Sequence, residues 1–158
     1  MDWGTLAAAA LGAVFGSGAT LLTDAVRARR EHNREWADTK RQVYTRFLVA
    51  LTQAHSRIVV AAFKDQTAEE RRQAVHEAFH RDPQHAEAKS VLRELAITAP
   101  DGVYTPASQV YERLRVMRDT LAQVTLTVDD QKYDDLNRSF FTSLEELQVT
   151  MRSDLRSS

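Results

Sequence analysis

Twenty residues without a charge, WGTLAAAALGAVFGSGATLL from Trp3 to Leu22, restrict this chain more than any other feature. A run of this length matches a hydrocarbon core of about 30 Å when wound as a helix. A cleavable signal peptide would need a positive leader, and only Met1 and Asp2 precede the run. The expectation is a transmembrane anchor over residues 1–24. Beyond it, Arg27, Arg29, Arg30 and Arg34 crowd the C-terminal flank. The positive-inside rule then gives a single-pass protein of the cell membrane, N-terminus outside and C-terminal domain cytoplasmic. The same four arginines are candidates for lipid-headgroup contact, at about 1 kcal/mol each near an anionic surface.

Gly4, Ala8, Gly12, Gly16 and Thr20 recur at every fourth residue and line one stripe of such a helix. Small residues at this spacing let two backbones approach, and Gly12-x-x-x-Gly16 is the strict dimerisation pattern. A homo-oligomer through this stripe is the expectation. A narrow pore built on the same helix is the alternative.

The remaining chain reads as all-α. Neither Gly nor Pro occurs between Leu22 and Lys64, so the anchor is expected to continue into one long helix. Residues 25–42 form a charged stalk, with Arg27 set for Glu31 and Arg34 for Asp38 at helical spacing. Residues 43–154 form an antiparallel bundle of four to five helices, and 155–158 a frayed tail. Trp36, Val43, Phe47, Leu51, Ala54, Ile58 and Ala62 trace its first apolar face. Thr67-Ala-Glu-Glu70 is a capping box opening a second helix that ends near Arg81. Asp82-Pro83 starts a third, burying Val91, Leu92 and Leu95.

Ala99-Pro-Asp-Gly102 reads as a turn, with Thr105-Pro106 opening a fourth helix faced by Val110, Leu114, Met117, Leu121 and Val124. Asp129 is expected to cap the last, with Tyr133, Leu136, Phe140, Leu144, Leu147 and Met151 inward.

The stretch HEAFH carries the one motif of chemical interest: His76 and His80 one turn apart, with Glu77 between. In zinc proteases two such histidines bind the metal and the glutamate polarises water. Ala86 stands where a third histidine would follow, His85 misses by one, and Glu94 is the remaining third-ligand candidate. These proteases also clamp peptides against a sheet edge, and no segment here alternates as a strand. The motif is read as coincidental, with Val75, Ala78 and Phe79 facing the core and the histidines at the polar margin. His76, Glu77 and His80 are retained only as weak metal candidates.

No cysteine, Gly-rich phosphate loop or G-x-S-x-G is present. Asp129-Asp130 and Asp134-Asp135 suit a helix start better than paired catalysis. With 21 basic against 22 acidic residues there is no field for nucleic acid. No enzymatic activity and no cofactor are expected. The expected partners are the lipid bilayer, further copies of the chain and an unknown protein.

The order of LGAVFGSGATLL, RARREHNREW, KRQVYTRFLVAL, VLRELAITAP and FFTSLEEL followed by MRSDL resembles a group of uncharacterised small single-pass membrane proteins of actinobacterial type. That resemblance covers most of the chain and implies a single span with a cytoplasmic helical domain. It implies no activity.

Overall fold

Why so few breaks in this sequence give so few loops is visible in a computed structural model, which describes residues 36–64 and 66–157. Five helices and no strand occur among the described residues. They are α1 (36–62), α2 (Ala68–His80), α3 (Pro83–Thr98), α4 (Asp101–Gln123) and α5 (Gln131–Ser157). The unit Lys40–Ser158 carries the core. No described helix is long and apolar enough to cross a membrane. The anchor, the stripe from Gly4 to Thr20 and the arginines from Arg27 to Arg34 lie outside the described residues.

The helix starts are set by local chemistry. The Thr67 side chain accepts from the Glu70 N–H, and the Glu70 carboxylate accepts from the Thr67 N–H at 2.8 Å, a complete capping box. These bonds to Thr67 hold the Glu70 carboxyl below its ordinary range. Asp82 accepts from the Gln84 N–H at 3.1 Å, with Pro83 in the first turn. Both helices begin where the sequence signals them.

Two boundaries differ from expectation. Helix α4 starts at Asp101 with Pro100 as its cap residue, so Gly102 is helical and Pro106 lies inside the helix. Pro106 has no N–H for the carbonyl four residues earlier, and its ring crowds that carbonyl. That residue is Gly102, which is exposed and in the first turn; there the chain can tilt and water can take the missing place. Val103 is buried one residue on, and its packing favours helix over turn. At α5 the preceding residue is Asp130 rather than Asp129: its carbonyl accepts from the Tyr133 and Asp134 N–H groups. Its carboxylate turns back to the Thr127 N–H and hydroxyl.

The apolar faces then pack. On α1, Val43, Tyr44, Phe47, Ala50, Leu51, Ala54 and Ile58 are buried at three- and four-residue steps. Trp36 departs from that expected face and is 42% exposed. Val124, expected in the α4 stripe, is instead the exposed C-cap residue. Helix α4 packs against α2, α3 and α5 and buries Val103, Ala107, Val110, Leu114, Met117 and Leu121. On α5 the buried residues are Phe140, Leu144, Leu147 and Met151, while Tyr133 and Leu136 are half-buried against the core.

Cross-helix pairs fix directions. Tyr44 meets Asp154, His55 meets Asn137 and Phe63 meets Tyr133, so α1 and α5 run antiparallel. Arg46 pairs with Glu87 and Glu94 while Arg57 pairs with Asp82, so α1 is antiparallel to α3 as well.

Candidate functional site

The end of α2, the start of α3 and the middle of α4 bring together most of the polar chemistry in the described residues. His76 and His80 lie on the exposed face of α2, their rings stacked with centroids 5.9 Å apart. Glu77 between them accepts from Gln73 Nε2 at 3.3 Å and stands 3.7 Å from Arg81. The helix period explains both placements: Val75 and Phe79 turn into the core, so their neighbours turn out.

The His85 ring lies 6.3 Å from that of His80, edge to face. Glu94, on α3, pairs with Arg46 of α1 at 3.8 Å. Among the described residues no group of three His, Cys, Asp or Glu side chains is placed to hold a metal ion.

His85 is the more informative histidine. It is buried, its Nε2 lies 2.7 Å from the Tyr111 hydroxyl, and its ring packs on Phe79 with centroids 3.6 Å apart. Burial is the main cause that pushes its pKa down to about 4. The charges of His80, Lys89 and Arg118 add to that, and Asp82 opposes it. The Arg118 guanidinium sits over the Phe79 ring, 4.3 Å from its centroid, and pairs with Asp119 at 2.6 Å. This layer of Arg118, Phe79, His85 and Tyr111 pins α2, α3 and α4 to one another. A second buried histidine, His55, hydrogen-bonds Asn137 Oδ1 at 3.0 Å and stacks on Phe140 at 4.6 Å. Burial lowers its pKa, against the opposing effect of the hydrogen bond that Asn137 Oδ1 accepts.

Beside this layer a groove of about 480 Å³ opens between α1 and α2 at the start of α3. Its bed is Val60, Ala61, Ala74 and Ala78. Charged side chains border it: Arg57 and Lys64 from α1 and the residues after it, Glu77, Arg81 and Asp82 from the α2–α3 corner. The buried Asp82 carboxylate faces Arg57 at 2.8 Å through Oδ1.

Sequence reading passed over His55, Arg71, Asp82, His85 and Arg118 as buried polar groups. A signal existed for three of them. His55 adjoins Ala54 in the run to Ile58, His85 stands three before Ala88, and Arg118 follows Met117. Each therefore occupies a core-facing step of its helix.

Comparison with family models, with curated proteins and with solved structures finds no match.

Proposed function

We propose that this chain is a single-pass membrane protein whose cytoplasmic helical bundle assembles with its own copies, or tethers a partner protein, at the inner face of the membrane. The observation that carries this reading is the uncharged run Trp3–Leu22 with Arg27, Arg29, Arg30 and Arg34 just beyond it. Such a run partitions into the bilayer, and the arginines hold the following domain on the cytoplasmic side. The stripe Gly4, Ala8, Gly12, Gly16 and Thr20 supplies the helix–helix contact.

Confinement to a membrane raises the effective concentration of the bundles, so a weak contact between them suffices. Exposed Val49 on α1 and Val149 on α5 offer apolar surface for it. The role is non-enzymatic: the protein works by position and assembly.

The test is chemical crosslinking in native membranes. Gly12→Leu with Gly16→Leu removes the close approach and is expected to abolish the crosslinked oligomer. An unchanged oligomer rejects the stripe. A dye-leak measurement during expression separates this reading from a pore, which would release the dye.

A further inference from the structure

The groove between α1 and α2 has three unmet requirements. Its bed is apolar, and Val60 within it is 61% exposed, a branched side chain left against water. Its volume of about 480 Å³ falls in the range of small-molecule sites.

Next comes Asp82. Only 1% of its side chain is exposed, and Oδ1 is fully engaged by the Gln84 N–H and by Arg57. Oδ2 is buried and has no hydrogen-bond partner among the described residues. A buried carboxylate oxygen without a donor carries its full desolvation cost, which a water or a ligand donor reaching it would remove.

The third requirement is for negative charge. Lys64 makes no ion pair among the described residues. Arg57 is 54% exposed, and a guanidinium has more N–H donors than one carboxylate oxygen can occupy. Arg81 at the corner already faces Glu77. Among the described residues, three cations thus border the groove against two carboxylates.

One kind of molecule meets all three requirements. We propose that the groove binds a small α-amino acid with a large apolar side chain. Its ammonium group donates to Asp82 Oδ2, its carboxylate lies between Lys64 and the spare N–H groups of Arg57, and its side chain covers Val60, Ala61, Ala74 and Ala78. Arg57, long and half exposed, moves aside to admit the ammonium. This site is independent of the membrane reading above, because every residue in it belongs to the bundle.

Calorimetric titration of the 158-residue chain with L-phenylalanine, 3-phenylpropanoate and 2-phenylethylamine tests it, since the last two each lack one charged end. Phenylalanine is expected to bind with a Kd of about 1 mM or tighter, and each one-ended probe about tenfold more weakly. Lys64→Ala, a change at an exposed side chain, should weaken phenylalanine about tenfold and leave phenylethylamine unchanged. Asp82→Asn keeps a good helix cap and should erase the preference for phenylalanine over phenylpropanoate. Absence of binding up to about 10 mM, equal affinity for all three probes, or indifference to Lys64→Ala each overturns the proposal.

Discussion

Tyr44 donates its hydroxyl proton to Asp154 Oδ2 at 2.7 Å, joining α1 to α5 across 110 residues of sequence. Lys40 Nζ reaches the same oxygen at 3.0 Å. Burial first, then the hydrogen bond and the charge of Asp154, push the Tyr44 pKa well above its ordinary value. The hydroxyl therefore stays protonated as the donor that the pair needs. Tyr44→Phe should cost about 1 kcal/mol, the net worth of one hydrogen bond. Asp154→Ala should cost more, about 2 kcal/mol, because it takes the acceptor from a buried tyrosine and an ammonium together. Urea denaturation checks both; equal or smaller cost for Asp154→Ala would count against a shared acceptor.

Acid should loosen the bundle through two histidines. The pKa of His55 is lowered and that of His85 is pushed down to about 4, both chiefly by burial. In the unfolded chain each returns to about 6.5. As pH falls below about 6.5 the unfolded chain takes up protons that the folded one refuses, so stability falls. The loss from His85 continues to about pH 4, the folded value, and then levels off. Above about pH 6.5 the stabilisation is fully present. Denaturation midpoints between about pH 7.5 and pH 4 should decline, and His85→Gln should flatten the decline while lowering the starting value.

Helix α3 offers a paired comparison of burial. Leu95 is fully buried and Ile97, two residues on, is 86% exposed. Leu95→Ala should cost about 2–5 kcal/mol through lost burial and a cavity. Ile97→Ala should stay within about 0.5 kcal/mol, since nothing in the bundle covers the side chain. Similar costs at the two sites would mean that Ile97 is covered in solution, as by a second bundle.

Pro106 gives a prediction in the opposite direction. It lies inside α4 and has no N–H for the Gly102 carbonyl. Pro106→Ala supplies that donor and relieves ring crowding, at some cost in unfolded-state entropy. The balance should be a gain of about 1 kcal/mol with the fold unchanged. Thermal unfolding measures it, and a loss of similar size would show that Pro106 is needed to set the start of α4.

Local signals were legible and distant ones were not. Thr67 with Glu70 and Asp82 with Pro83 read correctly because each start is decided within four residues. The faces around Phe47, Val91, Leu114 and Phe140 followed from helical period alone. Pro106 misled because proline ordinarily opens helices, and the advantage of burying Val103 is a tertiary one. The wrong choice between Asp129 and Asp130 turned on a tight turn from Thr127 to Asp130 that no periodicity encodes.

The candidate sites divide in the same way. His76 and His80 were legible as a surface pair because both orientation and spacing are helical properties. His55, His85 and Arg118 were missed because the residues that make their burial tolerable, Asn137, Tyr111 and Phe79, lie on other helices. The groove beside Asp82 forms only when α1 and α2 meet, and no single segment announces it.

The most direct test of the central claim is the mass of the detergent-extracted 158-residue chain measured beside a version lacking residues 1–24. An anchor that assembles through Gly12 and Gly16 predicts an oligomer for the whole chain and a monomer for the shortened one. A whole chain that is extracted without detergent, or is monomeric within it, would contradict the account.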